Sequence, residues 1–250
     1  MSLHQPDPEF VRSRRAQSNF RLALHIALVL VALLWGILLV DTLFHLHLNR
    51  YGLRPGTLSG LLGVVTAPLL HGGAGHLFNN SIPLLVALTA SLYLYPNAAL
   101  RVVPLIWLGS GLLGWLIGRH SLHIGASGLL YGLLAFVFVS GVLRRDMRSV
   151  AVSLLVWFLY GTMIWGILPI RPNMSWELHL SGGAIGILLA WLYRKWDRVP
   201  LRSYAWEHDD SVPEWYPEDQ GDPFELPPGG DGEPSATGAP AGKALEKKHD

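Results

Sequence analysis

Residues 123–143 read HIGASGLLYGLLAFVFVSGVL. Eighteen of these positions, 126–143, form an apolar run without a charge, which is too long and too uniform for a strand. A bilayer core takes about 20 apolar residues per helix, with a range of about 17–25. The run therefore reads as a membrane span. It opens with Ser127 among small residues, a place where serine commonly eases helix packing and does no chemistry.

Outward from this segment the same texture repeats. Six apolar runs qualify as spans, at about 20–41, 76–95, 98–118, 126–143, 149–169 and 177–194. Between residues 20 and 194 the only acids are Asp41, Asp146 and Glu177, far too few for the surface of a soluble domain. The fold class expected is therefore all-α, a polytopic membrane protein with a six-helix bundle. The N-terminal run extends to Val40 and ends in Asp-Thr-Leu without a small-residue cleavage site, so it reads as an uncleaved first span and not as a signal peptide.

Positive charge sets the expected orientation. With the N-terminus inside, twelve Lys or Arg flank the inner ends of the spans, Arg144, Arg145 and Arg148 among them. Arg50, Arg54, Arg119 and Arg171 lie outside. Both termini are then cytoplasmic, and Trp35, Trp107, Trp176, Trp191 and Trp196 are candidate interfacial anchors. Residues 1–19 form a cytoplasmic N-terminal segment and 20–198 the membrane domain. Residues 199–250, acidic and rich in Pro and Gly, form a disordered cytoplasmic tail on compositional grounds. Residues 42–75 are a long connection whose apolar piece, SGLLGVVTAPLL, is too short to span and reads as a membrane-associated loop.

The chain has no cysteine, which excludes disulfides and thiolate metal sites. Its net charge of +1 offers no bulk attraction to nucleic acid, and none is expected as a partner.

Polar residues inside a membrane are costly and therefore informative. Three sets stand at the starts of even-numbered spans. HGGAGHLFNN gives His71, His76, Asn79 and Asn80. GASGLLYG gives Ser127 and Tyr131. WELHLSGG gives Glu177 and His179. In the deduced topology all three lie at one depth, near the outer face. Gly128 and Gly132 lie four apart, and Gly182, Gly183 and Gly186 follow His179 at three, four and seven residues. Small residues at this spacing let helices pack backbone to backbone, which would bring His179 against Ser127. A serine needs a base to become a nucleophile, and histidine titrates near neutrality. Glu177, two residues from His179, faces elsewhere, so the pair reads as a dyad. His76, Asn80 and the Ser127 N–H are candidate donors to an oxyanion, and Tyr131 a ring beside the imidazole.

These motifs, in this order, resemble the rhomboid family of intramembrane serine proteases. His71, His76 and Asn80 match the family's histidine followed by histidine–three residues–asparagine. Gly125-Ala-Ser127-Gly matches its Gly-x-Ser-Gly turn, with Tyr131 one turn later. His179 with Gly182 and Gly186 matches its base histidine. The resemblance covers residues 20–194. It implies Ser127 as nucleophile, His179 as base, and His76 and Asn80 as oxyanion donors. Tyr131 would be the stacked ring, Gly125 part of the supporting turn and His71 a structural histidine. No cofactor is implied. The substrates implied are transmembrane segments of other proteins, cut near the outer face of a bacterial inner membrane. Two departures are visible: the first loop lacks the Trp-Arg pair common there, and Leu178 stands where a glycine often precedes the base.

Other readings remain open from sequence. The outer histidines, with His120 and His123, could hold zinc, although no H-E-x-x-H occurs. A transporter would need paired half-repeats, which are not evident. A non-catalytic relative that binds transmembrane helices differs only in what the dyad does.

Overall fold

A computed structural model describes residues 13–170 and 174–198. The expected tail, 199–250, and most of the segment before residue 20 lie outside the described residues. So do Arg171 and its two neighbours.

Among the described residues seven α-helices follow one another: α1 Arg14–Phe44, α2 Gly63–Thr66, α3 Ala74–Leu94, α4 Pro96–Ile117, α5 Ser127–Arg144, α6 Met147–Tyr160 and α7 Trp176–Leu192. Six are long, and their bounds fall within a few residues of the apolar runs, except that α1 starts six residues earlier. There Ser13 accepts the Ala16 N–H and caps the helix. The other difference is in the fifth run. Its α-helix stops at Tyr160 and continues as a 3-10 helix over Gly161–Ile167. Among the described residues no strand forms beyond one isolated bridge, Leu53 with His123. Five helices among the described residues are long and apolar enough to cross a membrane: Ala16–Phe44, Ala74–Leu94, Pro96–Ile117, Ser127–Arg144 and Met147–Ile167, the last with its 3-10 end. A sixth, Trp176–Leu192, is apolar but has 17 residues.

Helix α5 is the hub. Leu129, Leu130, Leu133, Phe136 and Val137 are buried, with Gly128, Gly132, Leu134 and Ser140 beside them, a wide buried face expected of a helix with packed neighbours on several sides. By contrast α1 buries only a narrow stripe, Ala16, Ala23, Ala27 and Leu34, and α6 buries Val156 and two serines, Ser149 and Ser153, which pack against Gly141 of α5. Their outer faces carry Leu22, Val29, Leu43, Leu154 and Phe158 in the open. Such a continuous apolar surface is stable against lipid and not against water.

Helices α5 and α7 meet backbone to backbone. A Cβ at Gly182 would overlap the Gly128 carbonyl, and one at Gly186 would overlap the Gly132 carbonyl. Both helices thus present bare backbone to each other. Leu178, in place of the glycine, is buried against Gly114 of α4, where a Cβ would come within 3.1 Å of its Cγ. The small residue has moved to the partner helix.

The long connection 45–73 folds into short helical turns, Leu48–Tyr51, Ser59–Leu62, α2 and Ala67–Leu69. Tryptophans of α4 anchor it: Trp107 donates to the Val65 carbonyl at 3.0 Å and Trp115 to the Thr57 carbonyl at 2.8 Å. The missing Trp-Arg pair is therefore replaced by anchors from outside the loop.

Candidate functional site

Ser127 is the first residue of α5, so its N–H lies in the first turn, where amides have no carbonyl one turn behind them. The turn before it depends on Gly125, whose φ of +116° is a conformation that side-chain-bearing residues rarely adopt. A Cβ there would also lie 2.8 Å from the His76 ring. Two further bonds fix the turn. The Gly125 N–H donates to the Ala67 carbonyl at 2.8 Å, and the Ala126 N–H donates to His71 Nε2 at 3.3 Å.

His179 enters from the first turn of α7. Its Nε2 lies 2.8 Å from Ser127 Oγ and its Nδ1 2.9 Å from the Gly166 carbonyl. A carbonyl can only accept, so Nδ1 carries the proton in the neutral ring. That leaves the Nε2 lone pair to accept from the Ser127 hydroxyl. The ring is held on a second side by Tyr131, stacked at 4.1 Å between centroids with 7° between planes. The Tyr131 hydroxyl donates to the Met163 carbonyl at 2.7 Å. Both carbonyls come from the 3-10 stretch at the end of the fifth run. Gly166 allows this approach: a Cβ there would overlap the Tyr131 hydroxyl.

Ser127 and His179 are buried, as are His71 and Asn80. The Asn80 amide lies 3.3 Å from His71 Nε2, and His71 packs edge-on against His76 at 5.1 Å. Burial and the neighbouring His76 push the His71 pKa down to about 4, which suits a ring that accepts at Nε2. His76, Asn79, Asn80, Ser127, Tyr131 and His179 line one cleft of about 710 Å3. The structure thus brings all seven expected site residues to one place. Among the described residues no three His, Asp or Glu side chains converge as metal ligands would.

Several participants are not legible from sequence. The carbonyls of Gly166 and Met163 are backbone groups in a helix end whose unwinding no residue type announces. A second set clasps the rim. Glu177 is almost wholly buried, 3.4 Å from Arg119 Nε, and also accepts the Arg119 N–H; the Arg119 guanidinium in turn donates to the Met174 carbonyl. His123 Nδ1 lies 2.9 Å from Ser175 Oγ. Burial holds the His123 imidazole below its usual pKa. Met174 and Ser175 line the cleft, so these contacts fix one of its walls. The glutamate that sequence reasoning set aside as a triad member holds this wall instead.

Fold and site together define a helical integral membrane protein with a serine–histidine pair buried at one end of its bundle. The comparisons agree. The family model for the Rhomboid domain matches residues 59–196. An uncharacterised protein of Mycobacterium tuberculosis is 38% identical over 174 residues, covering 66% of this chain and 72% of that protein. One of Mycobacterium leprae is 33% identical over 174 residues, covering 66% and 69%. The candidate rhomboid protease YdcA of Bacillus subtilis is 28% identical over 210 residues, covering 73% and 95%. The chain belongs to the rhomboid family. Membership suggests intramembrane protease activity on transmembrane substrates.

Proposed function

We propose that the protein is an intramembrane serine endopeptidase that cuts peptide bonds in or near transmembrane segments, using Ser127 and His179. The observation that carries this reading is the 2.8 Å contact between Ser127 Oγ and His179 Nε2, in the tautomer imposed by the Gly166 carbonyl. In the first half-reaction Oγ attacks the scissile carbonyl carbon while Nε2 takes the hydroxyl proton. The C–O double bond opens to an oxyanion. His76, Asn80 and the Ser127 N–H border the cleft where that oxyanion would form, and preorganised donors of this kind contribute about 2.7–4 kcal/mol each. His179 then passes its proton to the leaving amine and the C–N bond breaks. Water, deprotonated by His179, hydrolyses the acyl-enzyme. Tyr131 keeps the imidazole in plane, and His71 and Gly125 support the turn that carries the nucleophile.

This reading includes six spans over residues 20–198, with α7 as the short sixth. It also places both termini in the cytoplasm, on the distribution of Arg and Lys. The 17 residues of the apolar helix α7 meet the lower limit for a span, about 17. The first connection, anchored on α4, is then the membrane-associated outer loop.

The test is cleavage of a reporter transmembrane substrate by purified protein in detergent. The wild type should cut it and Ser127→Ala should not. Crosslinking of the substrate without cleavage by the wild type would favour a helix-binding role in place of catalysis.

A further inference from the structure

Beside the catalytic cleft lies a basic shelf that the dyad does not use. Two cavities form it, of about 490 and 270 Å3. Arg54 and Leu122 line both, and Leu122 also lines the catalytic cleft. His45, His47 and Arg50 border the larger cavity and His120 the smaller. The three spaces are thus consecutive, with Leu122 at their junctions.

On the shelf cations outnumber acids, Arg50 and Arg54 against Asp41. Asp41 lines the larger cavity, but its Oδ1 accepts the Leu48 N–H at 2.9 Å. The other acid at this end, Glu177, is buried against Arg119. Among the described residues neither Arg50 nor Arg54 has a carboxylate within 4 Å, and Arg50 lies over the Tyr51 ring at 4.8 Å. The backbone is also held in a set form. His45 and His47 adopt φ of 52° and 55°, uncommon for residues with a side chain and tolerated where the surroundings fix them. Asp41 does the fixing, accepting the Leu46 N–H at its carbonyl and the Leu48 N–H at its carboxylate. The Leu53–His123 bridge, closed by two bonds of 2.9 Å, ties the Arg54 segment to the rim of the cleft.

We propose that this shelf is an exosite for an acidic peptide flank of the substrate, the stretch that leaves the cleft past Leu122 and crosses Arg54 and Arg50. The proposal rests on the proteolytic reading of Ser127. An extended chain advances about 3.3 Å per residue, so a few residues beyond the scissile bond suffice to move from one cavity to the next. Continuity with the cleft favours a peptide over a lipid headgroup, which would need no path to Ser127.

The experiment uses the full chain in phosphatidylcholine vesicles and two reporter substrates. They are identical except for three Asp or three Gln residues in the flank at the serine end. The acidic substrate should show a KM about fivefold lower, since exposed pairs contribute little individually, and the advantage should shrink with salt. Arg50→Gln with Arg54→Gln should remove the advantage and leave cleavage of the Gln substrate unchanged, which also reports that the variant is folded. Equal KM values for the two substrates in the wild type would overturn the proposal. So would an advantage that survives the double variant. A defect of the double variant confined to vesicles with anionic lipid, whatever the flank, would overturn it in favour of a headgroup site. Anisotropy of a labelled acidic-flank peptide on Ser127→Ala, with and without the two Arg substitutions, reads the exosite without proteolysis. If neither substrate is cut, that binding difference still decides the exosite, and only the proteolytic reading fails.

Discussion

The two ends of the bundle are built on opposite plans. The serine end is an open cleft of about 710 Å3, and its polar groups are aimed at a space. The far end is closed on itself. The Arg144 guanidinium lies over the Tyr95 ring at 4.1 Å and donates to the carbonyls of Tyr193 and Trp196, at 2.9 and 3.1 Å. Asp197 caps the start of α4, accepting the N–H groups of Asn97 and Ala98 at 3.1 and 2.8 Å. Asp146 caps α6 through the Ser149 N–H at 2.9 Å, and Arg148 lies over the Tyr93 ring at 4.1 Å. At that end cations and acids meet helix termini, as the helix dipole favours. At the serine end Ser127, the first residue of α5, lines the cleft instead. One end holds the helices together so that the other can stay open.

Substitutions should separate these roles. At the serine end Ser127→Ala should lower cleavage about a thousandfold or more, with an unchanged thermal midpoint. His76→Ala and Asn80→Ala should each lower kcat about a hundredfold, the scale of one oxyanion donor. A kcat within twofold of wild type would remove that residue from the role. Gly182→Val forces α7 away from α5, and a displacement of about 1 Å between reacting groups costs about a hundredfold. Cleavage should fall on that scale even in the fraction that folds. At the far end the pattern should reverse. Arg144→Met should lower stability by about 2 kcal/mol, through two lost bonds to carbonyls and the ring contact. The specific activity of the folded protein should hold. Equal losses of kcat from both ends would mean that the division is wrong.

The smallest effect concerns pH. The folded pKa values of His71 and His123 lie below the ordinary value of 6.5 because burial disfavours the charged ring. Between about pH 6.5 and 4 the unfolded chain therefore binds more protons than the folded one. Their stabilisation is complete above 6.5 and is lost as pH falls through that window. The thermal midpoint should drop from pH 7 to pH 5, and His123→Asn should flatten the drop.

The sequence made some of this readable and hid the rest. The long helices follow from runs such as 126–143, because lipid imposes length and composition on each span separately. The polar groups were legible for the same reason: Ser127, His179 and Asn80 are costly where they stand. Their meeting was legible only through glycine spacing, Gly128 and Gly132 against Gly182 and Gly186, which records how close two helices must come. Backbone groups left no such trace. The carbonyl of Gly166 that sets the tautomer of His179 depends on where α6 unwinds. The unwound stretch meets Tyr131, whose hydroxyl donates to the Met163 carbonyl and packs against Gly166. The Arg119–Glu177 contact joins residues 58 apart, with α5 and α6 between them, and neither residue announces its partner.

The central claim is that Ser127 is a nucleophile poised by His179. Reaction with a fluorophosphonate, followed by peptide mass mapping, tests it most directly. The account predicts one phosphonate adduct, on the peptide containing Ser127, absent in Ser127→Ala and strongly reduced in His179→Ala. Cleavage-competent protein with no adduct at Ser127, or labelling of Ser127 undiminished in His179→Ala, would contradict it.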